Sequence, residues 1–522
     1  MSKAKHVWSA DLGDGTFQNP IIHADYSDPD MIRVGEDFFM VSSSFNMSPA
    51  LPILHSKDLV NWKIINHVCE TFPYAHFDRP RHGEGVWAPS IRFHDGKFWV
   101  FFGAPDEGVF MSNTEDPFGQ WSPLHLVKEA KGWIDTCPFW DDDGQAYLVN
   151  AFARSRIGFK HILNICKMNP DGTELLDEGQ YIFDGTKEHP TIEGPKMYKR
   201  NGYYYIFAPA GGVATGWQTI LRSKNIYGPY EDKIVLHQGN SDVNGPHQGG
   251  WVELESGESW FLHFQDKDAY GRIVHMQPMY WENDWPVMGH NVNEDGIGEP
   301  VNRWKKPNVG VTSDQIIAPQ TSDEFSSDKL GLQWQWRANV KHEWYSLNEK
   351  ENQLRLFAKQ QPEGIKTFYD TPQIATQKFP APTFTATTKM SFSFASPYDA
   401  AGIIVFGFHY AGLLVKPVKN GSGLELVYFH GEHENETTKE TEQKMKHIDS
   451  DTIYFRVSVF EKNKEPKCHF SFSLDGDTYE QVGDEFTATV ARWIGAQVGM
   501  FCVNRDHQAS DGFTDVDWFT IE

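Results

Sequence analysis

The stretch GPKMYKRNGYYYIFAPAG (Gly194–Gly211) decides the fold. A proline leads into an apolar run, KRNG supplies a tight turn, and an aromatic-rich run returns. Asn-Gly between two such runs is hairpin chemistry, because both residues tolerate the positive φ of a two-residue turn. The pattern occurs four more times: DPDMIRVGEDFFMVSSS (from Asp28), APSIRFHDGKFWVFFG (from Ala88), CPFWDDDGQAYLVNA (from Cys137) and GPHQGGWVELESGESWFLHF (from Gly245). The repeat prolines are Pro29, Pro89, Pro138, Pro195 and Pro246, roughly 50–60 residues apart, which is the spacing of radial β architectures.

Further strand-like runs fill the intervals: Leu51–Ile65, Gly108–Asn113, His161–Asn169, Gln218–Asn225 and Gly271–Trp281. Four strands per repeat fit propeller blades. A weaker second repeat, SKDLVNW, returns as SNTEDPFGQW and SKNIYGPY. The expectation is an all-β chain whose residues 1–315 form a five-bladed β-propeller.

Around Pro300–Gln320 the pattern breaks into a proline-bearing linker, and after Asp323 the proline-led repeat does not return. Residues 316–522 instead alternate in short runs such as MSFSFA, GIIVFGF, TIYFRVSVF and CHFSFSL, separated by polar turns. That pattern predicts a β-sandwich as a second domain. The charged run Gly431–His447 reads as a solvated loop or an edge strand. Trp334, Trp336 and Trp344 read as core or as a glycan-binding surface.

With 522 residues the chain is too long for one ordinary core, and two domains are expected. Its net charge of −24 argues against nucleic acid and anionic membranes as partners, since both require basic patches. Aromatic residues reach 14%, which suits strand packing and also stacking against sugar C–H faces. Five scattered cysteines without a CxxC pair give neither a disulfide framework nor a zinc site. The N-terminus lacks a signal-peptide core, and no run of about 18 apolar residues exists to span a membrane. Reduced thiols and no export signal predict a cytoplasmic protein. Oligomeric state is left open, a homo-oligomer included.

Residues that begin the innermost strands of a propeller ring the mouth of its funnel. In three repeats these starts are acidic: Asp28 in SDPD, Asp135 in IDTCP and Glu193 in IEGP. Trp87 (VWAP) and His247 (GPHQ) hold the corresponding places in the other two. Three carboxylates facing one pocket raise the pKa of at least one of them. Glycosidic cleavage needs that arrangement: one protonated carboxyl for the leaving oxygen and one carboxylate for water or the anomeric carbon. Arg272 could clamp sugar hydroxyls or form a structural ion pair. Phe45 could wall the pocket or sit in the core. His247 could bind an axial metal or water, or satisfy core hydrogen bonds. No P-loop, HExxH or GxSxG motif is present.

The stretches NPIIHADYSDPDMIRVGEDFFMVSSSF, GVWAPSIRFHDGKFWVFFG, WIDTCPFWDDDGQAYLV, TIEGPKMYKRNGYYYIFAPAGG and NGPHQGGWVELESGESWFLHFQD resemble glycoside hydrolase family 43. The match is to its two-domain β-xylosidases and α-L-arabinofuranosidases. The tail from DEFSSDKLGLQWQW to DGFTDVDWFTIE resembles the family's appended concanavalin A-like sandwich, so the likeness covers nearly the whole chain.

The resemblance implies an exo-acting, inverting hydrolase of terminal β-D-xylose or α-L-arabinofuranose on hemicellulose-derived oligosaccharides. In it Asp28 is the general base, Glu193 the general acid, and Asp135 the residue that tunes and orients the acid. Trp87 and Phe45 wall the sugar site, Arg272 contacts the sugar, and His247 sits near an axial water or calcium ion. No cofactor is required, although a structural Ca2+ on the propeller axis is compatible. The sandwich domain can lend a loop that closes one end of the funnel. Other readings are an endo-arabinanase of the same fold and a non-catalytic carbohydrate-binding propeller. A fructan-acting propeller carries NDPNG, RDP and EC where this chain has SDPD, IDTCP and IEGP.

Overall fold

The computed structural model describes residues 6–310, 315–419, 421–506 and 509–522, so part of the linker and the first five residues lie outside it. Each repeat folds into a four-stranded antiparallel sheet, giving five blades. The first strands of the blades are Asp30–Val34, Trp87–His94, Trp133–Trp140, Lys196–Arg200 and His247–Glu253. The anticipated hairpin turns all sit between first and second strands, as with Asn201 (φ +51) and Gly202 (φ +74) between Arg200 and Tyr203. Leu51–Ile65, read as one run, is instead parts of two strands, Ala50–Ser56 and Trp62–Cys69, because Ser56 and Asp58 cap a turn through backbone N–H bonds. Thr16–Gln18 pairs with Arg303–Lys305 and ties the start of the propeller to its end.

The second domain is a sandwich of an eight-stranded and a seven-stranded sheet. Strand Thr452–Lys462 shows strict alternation, with Ile453, Phe455, Val457 and Val459 buried on its inner side. The charged run forms parts of Leu424–Glu434 and Thr437–Ile448, the latter being an exposed edge strand. Its charges suit an edge, because they discourage pairing with another chain. Trp334, Trp336 and Trp344 are buried in the core. Among the described residues the only α-helix is the four-residue segment Arg154–Ile157, and no helix is long and apolar enough to cross a membrane.

The two domains share their packing. Phe45 and Met47 from the propeller lie in one cluster with Phe368, Tyr369, Ile404 and Ile494 of the sandwich. Ser48 and Trp336 exchange backbone hydrogen bonds across the junction. The Asp25 carboxylate accepts the Arg272 N–H at 2.8 Å through one oxygen and the Gly495 N–H at 2.9 Å through the other.

Gly495 is required at that junction because an added Cβ would lie 2.7 Å from the Gly271 nitrogen, a backbone atom that cannot rotate away. Gly495→Ala is therefore expected to lower the melting temperature by the equivalent of at least about 1 kcal/mol of overpacking. It should also reduce activity by displacing the 491–496 loop. Differential scanning fluorimetry and a glycoside assay check both effects.

Candidate active site

Irregular backbone places each acidic side chain. Asp28 precedes the first strand of blade one at φ +53, and Asp135 sits in blade three at φ +58, where the register shifts between Ile134 and Cys137. Such left-handed positions cost on the order of 1–3 kcal/mol each and cluster where a side chain must be re-aimed. Gly194 (φ +58) follows Glu193, and an added Cβ there would meet the Gln248 side chain at 2.8 Å. Its freed N–H donates to Asp135 Oδ2 at 2.8 Å.

Asp28, Asp135 and Glu193 line a single cavity of about 340 Å³ at the propeller mouth, with Phe45, Trp87, Phe152, Gln248, Arg272 and Trp493. That volume falls in the range, about 300–1,000 Å³, of sites for small ligands. Asp28 and Asp135 are buried, whereas the Glu193 side chain keeps 24% of its surface exposed.

Each acid has its own partners. Ser27 Oγ and Ser43 Oγ donate to Asp28 Oδ2 at 2.7 and 2.6 Å, and Arg272 Nη1 reaches Asp28 Oδ1 at 3.3 Å. Arg272 also donates to Ser27 Oγ at 2.8 Å and lies over the Phe264 and Trp493 rings. His247 Nε2 and Glu193 Oε1 are 2.8 Å apart. Burial, then repulsion from Glu193 and Asp28, pushes the Asp135 carboxyl up to about 8, against an ordinary value of 3.8.

The aromatic wall comes from both domains. Phe45 and Trp87 meet edge-on at 6.5 Å, and Trp87 meets Trp493 edge-on at 6.1 Å. Trp87 is fixed by a bond from its indole N–H to Gly83 O at 2.9 Å. Phe45 thus belongs both to the pocket wall and to the inter-domain cluster.

His247 is fully buried and stands behind Glu193, not on the cavity wall where the repeat alignment put it. The register shifts between His247 and Gly249, and Gln248 at φ +41 takes the lining position instead. A calcium ion takes six to eight oxygen ligands. Among the described residues no group of three or more His, Cys, Asp or Glu side chains is arranged to hold a metal. His247 Nδ1 is buried and has no hydrogen-bond partner among the described residues.

Sequence reasoning missed Trp493, Gln248, Ser43 and Asp25. Ser43 had a signal, since SSS ends an otherwise apolar strand. Trp493 had none: it is an exposed residue at φ +65 in a sandwich loop, brought to the funnel only by tertiary packing.

A propeller funnel with three converging carboxylates, roofed by a sandwich-domain tryptophan, defines the class of β-propeller glycosidases. Residues 17–286 match the model for glycosyl hydrolases family 43, and residues 322–522 match that for the beta xylosidase C-terminal concanavalin A-like domain; the chain belongs to family 43 and is a glycosidase. A Xylanibacter ruminicola protein is 42% identical over 494 residues, covering 94% of this chain and 86% of its own. The beta-xylosidase of Formosa agariphila is 32% identical over 570 residues, covering 100% and 93%. A non-reducing end alpha-L-arabinofuranosidase of Bacteroides ovatus is 29% identical, covering 98% and 96%. Among solved structures, a mutant family 43 protein from Bacillus licheniformis superposes with a TM-score of 0.81 at 26% identity over 97% of this chain and 99% of its own.

The raised Asp135 carboxyl fixes a sign for the dependence of stability on pH. The folded state holds a proton that the unfolded state releases above 3.8, so stability falls as pH rises from there to about 8. Asp135→Asn, which has no proton to lose, should flatten that decline. Melting temperatures of both proteins across this range measure it, and parallel curves would contradict the assignment.

Proposed function

We propose that this protein is an exo-acting, inverting glycosidase that releases terminal β-D-xylose, α-L-arabinofuranose or both from hemicellulose-derived oligosaccharides. The observation that carries the reading is the convergence of Asp28, Asp135 and Glu193 on one cavity. Asp28 acts as general base. Its two serine donors and Arg272 fix its orientation, and it takes a proton from water as that oxygen bonds to the anomeric carbon. Glu193, the most exposed of the three, acts as general acid and protonates the leaving oxygen as the glycosidic bond breaks. Asp135, held by the Gly194 N–H, repels a second negative charge and so helps keep a proton on the Asp135–Glu193 pair. His247 orients Glu193 from behind.

Inversion requires room for water between base and acid, with carboxyl groups roughly 6.5–9.5 Å apart. Trp493 supports exo action, because a side chain from the second domain roofs a funnel that an endo-acting enzyme leaves open. Phe45, Trp87 and Trp493 supply apolar faces for a sugar ring, and Arg272 supplies a donor to its hydroxyls. The family relatives named beta-xylosidase and alpha-L-arabinofuranosidase support both substrates. Five free cysteines support a reducing, cytoplasmic location.

Substitution separates the two roles. Asp28→Asn should cost at least about 100-fold in kcat on every substrate, since removal of a general base typically costs 10²–10⁴. Glu193→Gln should lose a comparable factor on xylobiose, whose leaving group needs a proton, and much less on a dinitrophenyl xyloside, whose leaving group does not. Steady-state kinetics, with circular dichroism to confirm folding, check the pair. Equal losses for Glu193→Gln on both substrates would contradict its role as acid.

A further inference from the structure

The pocket mouth carries positive charge that the three acids do not use. Asp28 has Arg272, Glu193 has His247, and Asp135 has the Gly194 N–H. Yet Arg154 and Lys160 line the same cavity. Arg154 is exposed, and among the described residues its guanidinium makes no hydrogen bond or ion pair. Lys160 is half-buried; its ammonium donates to Thr191 Oγ1 at 2.9 Å and meets no carboxylate.

The contrast with Arg156, two residues away, is direct. Arg156 pairs with Asp106 at 2.9 Å and lies 5.4 Å from the Trp87 ring centre, so it is committed to structure. In a chain with 71 acidic and 47 basic residues, carboxylates are plentiful, and a cation left unpaired beside a ligand cavity needs another reason. Burial, and then the nearby charges of Lys160 and Arg154, lower the pKa of His161 and favour its neutral form, so the two cations alone form one local positive field. His161 accepts the Thr191 N–H through Nδ1, and that bond leads along the chain to Glu193 two residues on.

The position fixes which part of a substrate meets this field. In the reading above, on which this inference rests, Glu193 protonates the leaving oxygen. The leaving sugar therefore lies on the Glu193 side, where Thr191 and Lys160 stand. We propose that Arg154 and Lys160 form a subsite for a carboxylate on the leaving group: the natural substrate is an oligosaccharide whose sugar next to the scissile bond carries a uronic acid. A guanidinium can take a carboxylate through two parallel N–H bonds, and the lysine adds a point charge, so the two cations suit one planar anion. The competing account is that they merely offset the charge of Asp28, Asp135 and Glu193. In that case they would affect neutral and acidic substrates alike.

The test compares xylo-oligosaccharides with and without a glucuronic acid on the leaving xylose. The wild type and the double variant Arg154→Gln/Lys160→Gln are assayed for kcat/KM on each. The ratio of acidic to neutral turnover is expected to fall about tenfold or more in the double variant, as loss of a charge-assisted contact implies. In the wild type the same ratio should fall as sodium chloride is raised, and in the variant it should not. Because each ratio is internal to one protein, a fall in folded fraction cancels. Turnover of the neutral compound with a ratio unchanged by substitution overturns the carboxylate subsite alone. A wild type that cleaves neither compound overturns the xylose-releasing reading on which the subsite rests, and the subsite with it.

Discussion

Three carboxylates confined to one cavity repel one another, and much of the surrounding structure exists to hold them there. Ser27, Ser43 and Arg272 supply donors to Asp28, the Gly194 N–H supplies one to Asp135, and His247 faces Glu193. Burial, and then repulsion from Glu193 and Asp28, push the Asp135 carboxyl up to about 8. The cluster thus keeps a proton at neutral pH, which is what acid-assisted cleavage of a glycosidic bond demands. Left-handed backbone at Asp28 and Asp135 is a further cost of the same confinement.

The second domain is part of the site. Asp25 holds the Arg272 backbone with one oxygen and the Gly495 backbone with the other, so the residue that pairs with Asp28 and the loop that carries Trp493 share one anchor. Phe45 is packed from behind by sandwich residues. A shift of the sandwich by a fraction of an ångström would reach the sugar site through both connections. Trp493 brings this domain onto the wall of the cavity that holds the three acids.

Much of this was legible in the sequence. Five proline-led repeats gave the blades, and because radial symmetry places equivalent residues around one axis, the offsets of Asp28, Asp135 and Glu193 from their prolines were enough to gather them. The same logic put His247 on the wall and failed there, because the register shift after His247 inserts an extra residue and turns Gln248 to the cavity. Period-based reasoning cannot see a bulge. Nor can it see Trp493, Asp25 or the pairing state of Arg154 and Lys160, which depend on contacts between residues hundreds of positions apart. The alternation of the sandwich strands predicted its two-layered core, but not which of its loops would meet the propeller.

The stereochemistry of the first-formed product tests the central claim most directly. If Asp28 activates water on the face opposite the bond that Glu193 breaks, proton NMR of a β-xyloside digest will show α-xylose appearing first and the β-anomer only later, by mutarotation. Initial release of β-xylose would mean that a carboxylate attacks carbon directly, and would contradict the assignment of Asp28 as a base.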